Sequence, residues 1–211
     1  MLQKKSLQTW RTDALAEKLE AFIAVQCGDS VRVSGLKRFT AGFSWVTVRF
    51  HAAFGSGEEL ELILRIGDPN GLLAPYSARP EYLMLRTLHG TPGLPLPQAY
   101  RLSADPAIIA APFLITEFAQ GETPLPVWNG GEEAKGAGDA SGLLDDFVDA
   151  LVAIHGFSWQ GSPLQELAGE EDSGAVTMRE VERWIAFAAL PVEDPKSLAM
   201  HFAGKWLKAH A

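Results

Sequence analysis

Arg65 has the type and the setting for phosphate chemistry. It lies in the run Leu60-Glu61-Leu62-Ile63-Leu64-Arg65-Ile66. Strand alternation there sets Arg65 with Glu61 and Ile63, opposite Leu62 and Leu64. A guanidinium in that place can grip phosphate oxygens through a bidentate fork; it can equally be a solvated arginine on a half-buried strand. Glu81 follows in a segment with helical spacing. It can pair with and orient such a cation, or it can be a favourable acid in a first helical turn. Upstream, Phe39-Thr40-Ala41-Gly42-Phe43-Ser44-Trp45 joins two strand-like runs. A bend with small residues such as Gly42 and Ser44 can lay backbone N–H groups over phosphates, although with Gly42 as its single glycine it also reads as an ordinary hairpin. Glu117-Phe118 closes an apolar run just before a Gly/Pro-rich stretch. Backbone groups at such a crossing can read an adenine edge without a special side chain, or the strand simply ends there. The order Gly42, Arg65, Glu81, Glu117-Phe118 is what favours a nucleotide site over four separate accidents.

Other reactive residue types point nowhere in particular. His155 sits at the end of an apolar helical run, where it suits the helix dipole. His51, His89, His201 and His210 lie singly, without ligand spacing. Ser44 and Ser158 lack the G-x-S-x-G setting of a hydrolase nucleophile. Cys27 reads as a core or helix-end residue. Trp184 and Trp206 fall at helical spacing and read as core. No catalytic residue and no metal ligand is assigned from these patterns.

The elements that must position the candidates are legible from periodicity. Residues 12–25 read as a helix with Leu15, Leu19, Phe22 and Ile23 on one face, stopped by Gly28-Asp29. Three strands follow, starting at Val31, Trp45 and Leu60, joined by short turns such as Gly55-Ser56-Gly57. A helix is predicted over about 78–88 with Pro80 in its first turn, then strands over 99–102 and 112–118. Residues 119–140 read as a linker. Helical periodicity returns from Leu143 to Ile154, capped by Asp139 or Ser141 and ended by Gly156. Residues 160–176 read as irregular. Thr177-Met178-Arg179-Glu180 looks like a capping box before a further helix, and Asp194-Pro195 starts the last one. Strands this closely spaced leave no room for crossover helices, so the sheet is expected to be mostly antiparallel.

Composition sets broad limits. At 211 residues, with 47% hydrophobic content, the chain can bury a sizeable core. A net charge of −8 argues against a nucleic-acid partner. A single cysteine permits no intramolecular disulfide and fits a reducing, cytoplasmic setting. Neither a signal peptide nor a membrane span is expected.

Taken together, the stretch resembles the aminoglycoside phosphotransferase family, most closely the branch related to the kinase-like domain of acyl-CoA dehydrogenase fusion proteins. The resemblance is carried by Phe39–Val48, Leu62-Ile63-Leu64-Arg65, Glu81–Leu88, Leu94-Pro95-Leu96-Pro97, Pro112–Gly121 and Leu151-Val152-Ala153-Ile154-His155. It implies an α+β, protein-kinase-like fold: a five-stranded mostly antiparallel N-lobe sheet with one inserted helix over residues 1–118, then a hinge and an incomplete helical C-lobe over 119–211. It implies ATP or another nucleoside triphosphate with magnesium, bound by Gly42, Ser44, Arg65, Glu81, Glu117 and Phe118. Arg65 takes the place of the strand lysine, Glu81 is its helix partner, and Phe118 lies at the adenine hinge. The acceptor implied is a hydroxyl on a small molecule that the sequence does not specify.

The chain also departs from the family pattern. Trp45 stands where relatives commonly carry a small or polar residue. No His-Gly-Asp occurs, and the last aspartate is Asp194. Phosphoryl transfer needs an acidic residue at the acceptor hydroxyl and another at the metal. The chain is therefore expected to be an amino-terminal part of a longer phosphotransferase, inactive as it stands. Its helices with Phe147, Leu151, Trp184 and Trp206 are then expected to leave an apolar surface uncovered. The alternative is a non-catalytic kinase-like nucleotide-binding or protein-interaction module, with those helices forming a homodimer.

Overall fold

The computed structural model describes residues 12–39, 45–69, 74–121, 140–169, 172–187 and 195–210. The chain divides into two compact units, Met1–Gln165 and Glu166–Ala211.

The first unit is built on five strands: β1 (Val31–Arg38), β2 (Val46–Phe54), β3 (Glu59–Ile66), β4 (Ala99–Ser103) and β5 (Phe113–Glu117). Their spatial order is β1-β2-β3-β5-β4, and every pairing is antiparallel. Helix α1 (Thr12–Cys27) precedes the sheet, α2 (Arg79–Leu88) is inserted between β3 and β4, and the single turn α3 (Pro106–Ile109) lies between β4 and β5. Sequence periodicity does not announce α3. It is set by a local cap: Asp105 Oδ1 accepts from Ala107 N–H at 2.8 Å, with Pro106 at the first helical position.

Alternation decides the two faces of the sheet. Val46, Val48, Phe50 and Ala52 of β2 share one side with Leu62, Leu64 and Ile66 of β3 and with Phe113 and Ile115 of β5. All are buried. Leu15, Leu19 and Ile23 of α1 cover them, and Phe22 meets Phe113 edge-on at 5.0 Å. Full burial of side chains such as Leu19 and Phe50 contributes about 1.5–3 kcal/mol each. Edge strand β1 is tied to α1 by Glu20, whose Oε1 accepts from Val33 N–H at 2.8 Å. It bends at a bulge between Ser34 and Lys37, where Gly35 holds a φ of 65°.

The opposite face carries Thr47, Arg49, Ile63, Arg65, Leu114 and Thr116. A smaller core of Ala78, Ala99 and Leu114, with Trp45, Tyr82, Leu85 and Leu102 packed against it, seats α2 over the β4–β5 side. Thr47, Arg49, Ile63 and Arg65 are only half-buried. They form a strip beside α2 whose polar members are Thr47, Arg49 and Arg65.

Helix α4 (Ala140–His155) closes the first unit. It begins before Ser141, so that residue lies inside the helix rather than at its cap; Asp139 and most of the predicted linker lie outside the described residues. After a 3-10 turn over Pro163–Leu167, the second unit pairs α5 (Ser173–Phe187) with α6 (Pro195–His210). The expected capping box at Thr177 is not the start of α5. Asp172 is, accepting from Ala175 N–H at 2.9 Å, and Thr177 falls one turn inside. Gly204 lets α6 approach Ile185, and Lys208 pairs with Glu182 at 3.1 Å. Trp184 and Trp206, read above as core, are 50% and 53% exposed. Along α4, Phe147, Val148 and Val152 are exposed as well. Among the described residues, no helix is long and apolar enough to cross a membrane.

Candidate functional site

The half-covered strip brings together two of the predicted residues. Arg65 sits near the end of β3, opposite Thr47 of β2 and Leu114 of β5. Glu81 lies in the first turn of α2, which Pro80 helps to start. Because α2 is docked on the second core, its first turn stands over Arg65, and an Nη of Arg65 donates to Glu81 Oε1. Burial pushes the Glu81 carboxyl above its ordinary range; the Arg65 guanidinium pulls it down less strongly. The pair is 34% and 28% exposed, so it is neither a surface ion pair nor a sealed one. Arg65 Nε is buried without a hydrogen-bond partner. A buried unsatisfied donor costs roughly 1–3 kcal/mol, so Glu81 does not saturate this guanidinium.

One aromatic residue lies beside the arginine, and a second backs it. The guanidinium carbon lies 5.4 Å from the centre of the Trp45 ring. Trp45 in turn meets Tyr76 edge-on, with ring centres 5.1 Å apart. Gly67, just after β3, makes room for Tyr76: a Cβ there would stand 2.5 Å from Tyr76 Cβ. Periodicity alone does not single out Tyr76. The signal that could have found it is the glycine after Arg65-Ile66.

At the other end of the strip, Arg49 pairs with Glu61 and lies over the Phe118 ring at 4.2 Å. Strand alternation places Arg49 on the Arg65 face, which is the sequence signal for it. Glu117 and Phe118 do stand together at the exit of β5, but their N–H groups are engaged. Glu117 N–H donates to Gln98 O at 2.8 Å and Phe118 N–H to Glu61 O at 3.1 Å. The Glu117 carboxylate accepts from Gln98 N–H at 3.1 Å. Neither N–H is left to read a base. Gly42 and Ser44 lie outside the described residues.

The strip is thus a fixed, incompletely satisfied cation with a carboxylate beside it and an aromatic wall, on the open side of an antiparallel sheet. The sequence match completes the identification, for the model of the phosphotransferase enzyme family covers residues 35–211. The chain belongs to the phosphotransferase enzyme family. Its family match contains β2, β3, α2 and β5, and so every element that shapes the strip. Among solved structures, this phosphotransferase-family chain is similar to a protein from Ralstonia eutropha JMP134 provisionally named an aminoglycoside phosphotransferase. The two are 22% identical, with a TM-score of 0.58, over 92% of this chain and 53% of the other. At that identity the likeness speaks for the fold, which is α+β and protein-kinase-like. The chain spans about half the length of that structure. No curated protein sequence matches it.

Proposed function

We propose that these residues form the nucleotide-gripping part of a phosphotransferase that carries a phosphoryl group from ATP, or another nucleoside triphosphate with magnesium, to a hydroxyl of a small molecule. In this reading the part through Phe118 is the N-lobe, and residues from 119 onward are the hinge and helical lobe. The protein acts in the cytoplasm.

The observation that carries the reading is the Arg65–Glu81 pair, joined through one terminal nitrogen of Arg65 and still partly exposed. A guanidinium held at one nitrogen by a carboxylate is oriented yet still has donors to offer, the property a phosphate grip needs. The bound nucleotide supplies the phosphoryl group. Arg65 holds phosphate oxygens, Glu81 keeps Arg65 turned toward them, and the turn with Gly42 and Ser44 offers backbone N–H groups. The base lies toward Phe118, read by backbone groups beyond it, because the Glu117 and Phe118 N–H groups are committed internally. No His-Gly-Asp is present, so the 211 residues are assigned binding without turnover.

The test is calorimetric titration of the protein with magnesium and β,γ-imido-ATP. Saturable one-to-one binding that R65A weakens supports the reading. Absence of binding, or binding indifferent to Arg65, overturns it; ATP-dependent phosphorylation by the purified chain would overturn the statement that it does not turn over.

A second reading, a non-catalytic interaction module, is favoured by the exposure of Phe147, Leu198 and Phe202 at 60%, 76% and 73%. Large apolar side chains left this open on helices mark an interface. Light scattering separates the two: a discrete homodimer supports the module, and a monomer removes it.

A further inference from the structure

Trp45 and Arg65 are diagonal neighbours on one sheet face, since Thr47 stands directly opposite Arg65. Their separation of 5.4 Å lies within the reach of a cation–π contact. Glu81 fixes one terminal nitrogen of the guanidinium. A single such bond leaves a long side chain free to pivot about it, and arginine has much rotamer freedom to lose. The indole face removes that freedom. Trp45 is itself immobilised, packed against the second core and braced by Tyr76.

We propose that Trp45 is the positioning residue of the phosphate grip. With Tyr76 behind it, the indole holds the Arg65 guanidinium in the plane a nucleotide phosphate requires, so that Trp45 and Arg65 act as one unit. The inference rests on the phosphotransferase reading above and adds to it a residue that works through another.

The experiment uses the 211-residue protein, with magnesium and β,γ-imido-ATP as the probe and adenosine as the phosphate-free control. W45L keeps apolar bulk and loses the π face. It is expected to weaken the ATP analogue roughly 3- to 10-fold, with adenosine affinity unchanged. W45F is expected to recover most of the loss. In an R65A background W45L should cost nothing further, because the pair acts as a unit. A second readout needs no nucleotide: the ring-current shift of the Arg65 Nε–H proton in NMR spectra, lost in W45L and kept in W45F. The dispersion of the backbone amide signals in the same spectra shows whether each variant has kept its fold. Equal analogue affinity in W45L and wild type overturns the role of Trp45 and leaves the phosphotransferase reading intact. So does an equal loss in the R65A background, or a parallel loss of adenosine. A wild type that binds no nucleotide overturns both.

Discussion

Arg65 reaches from β3 to α2 and donates to Glu81 through a terminal nitrogen while its own Nε stays buried without a partner. Strand and helix each contribute one half of this pair, and the second core of Ala78, Ala99 and Leu114 sets the distance between them. The arrangement is a cation held ready, and its consequences can be measured.

Removing the cation should remove the grip. R65A is expected to weaken β,γ-imido-ATP about 10- to 100-fold, the equivalent of roughly 1.5–3 kcal/mol for a hydrogen bond to a charged group. R65K should recover only part, because an ammonium cannot reproduce the planar fork or its stacking on Trp45. Full recovery by lysine would show that charge alone suffices.

Glu81 gives a pH dependence of definite sign. Burial raises its pKa above the ordinary 4.5 against a weaker pull from Arg65. Between that value and the raised one, the folded chain holds more protons than the unfolded chain, so stability falls as pH rises through the window. E81Q has no proton to lose there. The stability of wild type relative to E81Q should therefore decline as pH rises from the ordinary carboxylate range through the raised Glu81 pKa, measured by urea unfolding at several pH values. A relative gain over that range would mean that Arg65, rather than burial, dominates the Glu81 carboxyl.

Gly67 controls the aromatic wall at a distance. G67A puts a methyl 2.5 Å from Tyr76 Cβ. Neither atom belongs to the far end of a flexible side chain, so the Tyr76 backbone must shift. Overpacking of this kind costs roughly 1–3 kcal/mol. The variant should melt lower and should also lose the ring-current shift on the Arg65 Nε–H. A lower melting point with that shift intact would detach Tyr76 from the grip.

Burial separates two apolar residues of similar appearance in the sequence. Leu19 of α1 is fully buried, and Phe202 of α6 is 73% exposed. L19A is expected to destabilise by about 2–5 kcal/mol. F202S should change stability by no more than about 0.5 kcal/mol and should improve solubility. Denaturant midpoints compare them directly, and a large loss from F202S would reveal packing on that face in solution.

The antiparallel sheet and the adjacency of its first three strands were open to reading because period-two alternation is a local property; the insertion of β5 between β3 and β4 was not. Residues 46–54 and 60–66 declare their faces within a few positions, and short turns force neighbouring strands together. The same alternation put Arg65 on the polar side, and the helical stripe of 79–88 put Glu81 in the first turn. The helix α5 starts earlier than the Thr177 capping box suggests because a second capping residue lies five positions upstream, and Asp172 takes the start with a direct bond from Ala175 N–H. Spacing alone makes Trp184 and Trp206 look like core, because helical spacing of aromatic residues is the same whether or not something covers them; their exposure agrees instead with the uncovered apolar surface expected of these helices.

By itself, then, the sequence determined the α+β plan, the antiparallel sheet and the order of the cation and its carboxylate. Only the tertiary structure decided that Glu81 stands over Arg65, that Trp45, backed by Tyr76, lies beside it, and that the Glu117 and Phe118 N–H groups are already engaged. The division has a physical cause. Periodicity is written in adjacent residues, whereas which side chains meet across the sheet depends on how α2 docks and where Gly67 lets the chain come close.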